Sequence, residues 1–493
     1  MSAETPTLLA ANLDLLTQSL VRQENAEYGL TRAADGLRLV VAAGQGHPAL
    51  NSFVGERSEV NGQTLIVAPL SAANAAALRL HLPWLQPRGL GPGTSAGLGD
   101  RLGLATPGHV RAMKKAGGGI APIFAQQSIR ENARTGRTPQ QVLDEATWGV
   151  FQENWQAGFG ADADHLKTTG DIDSCLAAGY TFFTIDPGEY VDSRAESASL
   201  GELRELASAL PDVLRPEASG LLGKSLQVEH LSLTFDEHTA LKAAVKYGRA
   251  VWHVASMYRH LSARAGAHPF ELEVSVDETE QPTSHAEHAY IASELKRLGV
   301  RWISLAPRYI GAFEKGVDYI GDLTNFEADI AGHAAIARHF GPYKLSLHSG
   351  SDKFSIYPAA VRQTRGLVHL KTAGTSYLEA LRTIAAVDPG LFGEIYAFAR
   401  QRYETDRISY HVSAQLARAP LPEQVGDPTV LLDQFDARQI LHVTFGSVLT
   451  ARADDGSPLF ADRLMSLLRE HSSAYAANLE AHFIRHLTPF ARR

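Results

Sequence analysis

A chain of 493 residues with 44% hydrophobic and 20% charged positions has the composition of a protein with a large buried core, which excludes a disordered or fibrous molecule. Its formal charge of -8 is spread along the length with no basic arm or stripe, so nucleic acid is not expected as a partner. The single cysteine, Cys175, rules out an intrachain disulfide and a thiolate zinc cluster and fits a reducing, cytoplasmic location, while no apolar run or cationic N-terminal patch suggests a membrane span or leader.

Residues 1–105 read as a small N-terminal α/β segment. Leu8 to Arg22 has helical spacing of apolar positions, residues 36–42 and 63–69 read as strands, and residues 72–80 read as an alanine-rich helix. The glycine-rich run from Gly89 to Asp100 lacks the Gly-Lys-Ser/Thr ending of a phosphate loop, and is expected to join domains or cover a substrate.

From Pro107 a rhythm sets in. A helix is expected at 107–116, with Thr106 as its N-cap and Pro107 in its first turn. Apolar strands are expected at 120–125, at the stretch ending in His165, and at 180–185, 270–276, 302–306, 344–348, 366–370 and 440–445. Strands alternating with helices in this number predict an α/β fold, a TIM-type (β/α)8 barrel over residues 106–493, with long helical insertions at 186–270 and 370–440. A doubly wound open sheet fits less well, since no Gly-x-Gly-x-x-Gly follows the first strand of the repeat.

A barrel carries its chemistry at the carboxyl ends of its strands. Here those ends hold Ser128 and Arg130, Asp164, His165 and Lys167, Asp186, Glu273 with Asp277 and Glu278, Arg308, His348 with Asp352 and Lys353, His369 and Lys371, and His442. So many polar groups suit a small, oxygen-rich anion held on a metal. In residues 270–277 the period of two puts Glu271, Glu273, Ser275 and Asp277 on one face, which must look into the barrel. Glu273 is placed there to hold a raised pKa and to donate or accept a proton. His165 and His348 end their strands as neutral imidazoles suited to a divalent transition metal. Asp164 and His165 are adjacent, so both reach the site only if the regular strand has ended between them. The turn 349–353, with Lys353, is a candidate seat for a carboxylate, and Arg308 can clamp the same anion. Thr184 and Ser128 are candidate hydroxyl-binding groups. His253, His260, His268, His285 and His288 fall in helical or loop stretches and read as surface or structural.

Residues 93–104, Gln127-Ser-Ile-Arg130, residues 160–167, Phe183-Thr-Ile-Asp-Pro-Gly188, Ala306-Pro-Arg-Tyr309, residues 314–322 and residues 348–355 together resemble the tagaturonate/fructuronate epimerases, or hexuronate C4-epimerases. The likeness runs from about residue 90 to the C-terminus. It implies an isomerase of hexuronate catabolism that depends on a divalent metal cation such as manganese, zinc or nickel and takes a small-molecule sugar acid. It further implies Asp164 as proton acceptor, Glu273 as proton donor, and His165 and His348 as metal ligands, with the third ligand open among Glu314, Asp186 and His333. The same parts would serve a metal-dependent aldolase or ketose isomerase acting on sugar acids, or a binding protein without turnover. The sequence is compatible with a homo-oligomer.

Overall fold

The structure, a computed structural model, describes residues 7–34, 36–372 and 374–492. Near the N-terminus, alternating apolar runs broken by residues in the left-handed region make hairpins. β1 (Leu15–Gln23), β2 (Ala26–Ala33), β3 (Gly36–Ala43), β4 (Glu56–Val60) and β5 (Gln63–Pro69) form an antiparallel sheet in the order β1-β2-β3-β5-β4. Glu24 and Asn25, and again Asn61 and Gly62, all have positive φ, which is what a two-residue hairpin turn requires. The helix expected over 8–22 is a correction: only Thr7–Ala10 is helical, and pairing with β2 draws the rest into a strand.

The helix Ala72–His81, capped by Ser71, ties this sheet to the larger body. Arg79 Nη1 lies 2.8 Å from Asp144 Oδ1 and 2.8 Å from Thr147 Oγ1, both on the helix Pro139–Gln152.

The larger body is a closed barrel of eight parallel strands. In chain order these are β6 (Ser95–Gly97), β7 (Ala121–Ser128), β8 (Gly160–Leu166), β9 (Phe182–Ile185), then, after a hairpin of β10 (Ser225–Val228) and β11 (Leu231–Thr234) outside the barrel, β12 (Glu271–Ser275), β13 (Ser304–Ala306), β14 (Lys344–Leu347) and β15 (Val368–Lys371). β15 pairs with β6 to close it. The insertion at 186–270 carries the helix Glu237–Ala265 in addition to that hairpin.

Two expectations are corrected here. The stretch 440–445 is not the eighth strand: it falls in the helices Phe435–Val443 and Phe445–Thr450. Residues 436–443 are all buried, so this helix is wrapped on every side and shows no polar face to betray its period. The missing strand is Ser95–Gly97, inside the glycine-rich run, so the barrel begins before residue 106. Its small residues leave room for the neighbouring strand, since a Cβ on Gly97 would lie 2.7 Å from Gln126 Oε1. A smaller correction concerns the helix Thr106–Ala116, whose N-cap is Ala105 and not Thr106. Among the described residues no helix is long and apolar enough to cross a membrane.

Arg79→Met should leave the buried Asp144 carboxylate without its cation and cost about 3 kcal/mol, read as a lower midpoint in denaturant unfolding. The double variant Arg79→Met/Asp144→Leu should recover most of that loss, and a single variant as stable as the parent would show that this pair does not hold the two parts together.

Candidate active site

The site is built on β8, whose sequence Gly160-Ala-Asp-Ala-Asp-His-Leu166 alternates small residues with acids. Regular alternation turns Asp162 and Asp164 to the same face. The register with β9 then slips between Ala163 and Leu166, and His165 takes a left-handed φ of 55°. That kink brings His165 round beside Asp164, with Nδ1 2.8 Å from Asp164 Oδ1. The strand does not end between the two residues, as the sequence reading required; it runs on to Leu166, and the kink within it is what lets both side chains reach the site.

β12 supplies the opposing wall, and its acidic face points inward as the period of two predicts. Glu271 is at the amino end, where its Oε1 accepts from the backbone N–H of Leu90 (2.9 Å) and Gly91 (2.6 Å). The first part of the glycine-rich run, at Leu90 and Gly91, therefore lies at the end of the barrel away from the site, and its middle forms β6, so these residues do not cover the substrate as the sequence reading allowed. One step along, Glu273 Oε1 lies 2.6 Å from His348 Nε2, 2.8 Å from Lys371 Nζ and 3.2 Å from Thr184 Oγ1. Asp277 Oδ1, nearer the mouth, lies 3.1 Å from His348 Nδ1 and 3.7 Å from His165 Nε2.

The group that joins these walls is Lys371, at the end of β15. Its ammonium lies 2.9 Å from Asp162 Oδ2, 2.6 Å from Asp164 Oδ1 and 2.8 Å from Glu273 Oε1, and donates to Thr184 Oγ1 at 2.7 Å. Burial alone would drive the Asp164 carboxyl upward, but His165 and Lys371 hold it well below the usual carboxylate range. Glu273 is likewise pushed up by burial and pulled well below that range by Lys371 and His348. A raised pKa expected at Glu273 is instead found at Asp162, lifted to about 7 by burial that Lys371 only partly offsets. His348 goes up to about 9, since Asp277 and Glu273 outweigh its burial.

Of the other expected residues, Ser128 lines the cleft and caps the helix Ile129–Thr135, and Thr184 sits inside the carboxylate cage. Two are not brought to the cleft. Lys353 is fully buried and donates to the carbonyls of Glu314 (2.8 Å), Val317 (2.5 Å) and Ser351 (3.1 Å), which offset only part of the cost of its burial, and that burial brings its ammonium down to about 7. Among the described residues the Arg308 guanidinium reaches only the carbonyl of its neighbour Tyr309, at 3.4 Å. Sequence reasoning placed Lys371 and Asp277 at strand ends without assigning them a role, and did not single out Asp162, Lys315 or Arg101, the last two on the cleft wall.

Asp164, His165 and His348 offer donor atoms that all lie within 4.8 Å of one another, with the two imidazole centroids 5.1 Å apart. His165 Nε2 is buried with no hydrogen-bond partner among the described residues, as a nitrogen reserved for a cation would be. Of the candidates for a third ligand, Asp186 groups with His165 and Glu278. His333 lies elsewhere, 2.9 Å from His288 by its Nδ1, and the Glu314 carboxylate accepts from Ser413 and Gln439.

The model of the UxaE tagaturonate epimerase family matches residues 16–490. The chain belongs to the tagaturonate epimerase family. The tagaturonate/fructuronate epimerase of Thermotoga maritima is 44% identical over 478 residues, covering 96% of each chain. The native crystal structure of the fructuronate-tagaturonate epimerase of Cohnella laeviribosi superposes with a TM-score of 0.92 at 39% identity, over 98% of this chain and 97% of that one. A second structure of that enzyme, complexed with two glycerols, gives a TM-score of 0.93 at 38% identity. Membership of an epimerase family makes this chain an isomerase and sets aside a binding protein without turnover.

In this epimerase barrel, Lys371→Met should strand three buried carboxylates and cost about 5 kcal/mol near neutral pH, the upper end of what breaking a buried pair costs. Carboxyls whose pKa is raised by folding bind protons better folded than unfolded, so the deficit should shrink as pH falls toward 5. Unfolding free energies of parent and variant at two pH values check both the size and the sign.

Proposed function

We propose that this chain interconverts D-tagaturonate and D-fructuronate, with Asp164 as proton acceptor, Glu273 as proton donor and His165 and His348 as ligands of a divalent cation. The observation that carries the reading is the meeting of these four side chains around Lys371 at the mouth of the barrel. The names of its relatives in Thermotoga maritima and Cohnella laeviribosi supply the substrate pair.

The two sugars differ at the carbon one removed from the position beside the ketone, so the carbonyl does not acidify that C–H. Inversion by bond cleavage avoids the difficulty. Asp164, held ionised, accepts the proton of the hydroxyl on that carbon; the bond to the carbon next to the ketone breaks, leaving an aldehyde and an enediolate. Half a turn of the aldehyde presents its other face, the bond reforms, and Asp164 returns the proton. Glu273, ionised at rest, acts as donor by relaying a proton from the Lys371 ammonium, 2.8 Å away, to the ketone oxygen as negative charge grows there, and the proton returns the same way when the bond reforms. A divalent cation held by His165 and His348 would supply Lewis-acid stabilisation of the same charge. Direct proton exchange at carbon would need Asp164 and Glu273 on opposite faces of it, whereas here both accept from one ammonium that fills the space between them.

Epimerisation of tagaturonate in deuterated water should yield fructuronate without deuterium at the inverted carbon; label there would exclude inversion by cleavage alone. Asp164→Asn and Glu273→Gln should each lower kcat by about 10²–10⁴. His165→Ala and His348→Ala should lower the metal retained after dialysis, measured by elemental analysis, and full turnover after thorough chelation would remove the cation from the scheme.

A further inference from the structure

The cations on the cleft wall are paired with acids of the same wall, except one. Arg101 is bound to Glu131, Arg130 Nη2 lies 2.9 Å from Glu278 Oε1, and Lys371 is shared among its three carboxylates. Lys315 lines the same cleft, yet its ammonium donates only to Ser349 Oγ, at 2.6 Å, and among the described residues no carboxylate lies within ion-pair distance of it. Glu131 on the same wall feels Lys315 but is already paired with Arg101, so an ammonium facing the cleft with no carboxylate in contact has room for one negative charge.

Its position is fixed from below. Lys353 holds the carbonyls of Glu314 and Val317 on either side of it, Arg438 Nε donates to the Gly316 carbonyl at 2.5 Å, and Gln439 Nε2 donates to the carbonyl of Lys315 itself at 3.3 Å. Gly316, with a φ of 74° and His442 3.4 Å from where its Cβ would be, turns the loop tightly at this point. The backbone is thus pinned while the charged tip is held by one hydroxyl alone, which is how a preorganised binding group is built. Ser349, its one partner, follows His348 directly, so the seat adjoins the reacting centre.

We propose that Lys315 and the Ser349 hydroxyl form the seat for the substrate's carboxylate and make the cleft select acids over neutral sugars. This rests on the sugar-acid reading above and names the group that reads the acid. One unpaired positive charge and one hydroxyl match a carboxylate monoanion; a phosphate dianion would leave the cleft with excess negative charge.

The test is equilibrium binding by calorimetry, using galactonate, galactitol and inorganic phosphate as probes, none of which the enzyme can turn over. The parent should bind galactonate at least about tenfold more tightly than galactitol, and more tightly than phosphate. Lys315→Met should reduce the preference for acid over polyol about 10- to 100-fold, and Lys315→Arg should keep most of it. Should Lys315→Met fail to fold, Ser349→Ala should still reduce the preference about 3- to 10-fold. A folded Lys315→Met that keeps the parental preference, a parent with no preference, or tighter binding of phosphate would each overturn the seat. Because no turnover is measured, an absence of epimerisation would count against the proposed reaction and not against the seat.

Discussion

One ammonium among three buried carboxylates governs this barrel. Without Lys371, Asp162, Asp164 and Glu273 would face one another in a poorly solvated interior, where like charges cannot all persist. With it, charge is distributed unevenly: Asp164 and Glu273 stay ionised with help from His165 and His348, and Asp162, the deepest of the three, carries the residual strain as a carboxyl raised to about 7. Thr184 fills the remaining gap, its hydroxyl touching Asp162, Glu273 and Lys371 at once. Acid and base are thus tuned by the same cation and move together with it.

The interior is polar in layers. Near the amino ends of the strands, Lys344 donates to the Gly91 carbonyl and Ser95 Oγ, His369 Nδ1 meets the same hydroxyl, and Glu271 takes backbone N–H groups. Here burial wins over charge: it presses Lys344 down to about 8 and His369 down to about 3. The layer above carries the charges and meets the cleft. The apolar residues of the strands face outward against the helices, where Leu272, Val274, Leu305, Leu345 and Leu370 are buried. A layered barrel ordinarily fills its centre with branched hydrocarbons; this one uses a hydrogen-bonded plug beneath a reactive tier.

Most of this was legible in the residues themselves, and the failures have identifiable causes. The alternation in 270–277 disclosed the inward acids, and strand-end logic found Asp164, His165 and His348, because period and position are written in sequence. The kink at His165 was not, since a left-handed histidine has no signature in its neighbours. Lys371 could be seen at a strand end, but nothing in the sequence gives the convergence of three distant acids on it. Lys353 stands out in sequence because it closes a turn rich in Gly and Ser after His348, and Lys315 carries no such signal; the fold turns Lys353 away to three backbone carbonyls and leaves Lys315 beside Ser349 on the cleft. Ser95–Gly97 hid because three small residues carry no hydrophobic period, and 440–445 misled because a helix buried all round looks like an inner strand.

The seam of the barrel has a consequence for how the protein is made. β6 and β15 meet across 274 positions, as the contact from Ser95 Oγ to His369 Nδ1 measures. Until the ribosome has released the chain past Lys371, the first strand has no second neighbour and the three acids have no counter-ion. The N-terminal hairpins, whose partners are local, can form early in synthesis, while the ring must wait for its last member. The reactive centre therefore cannot close before the chain has been made past Lys371, and a nascent chain cut short before that residue would carry its acids with nothing to reconcile them.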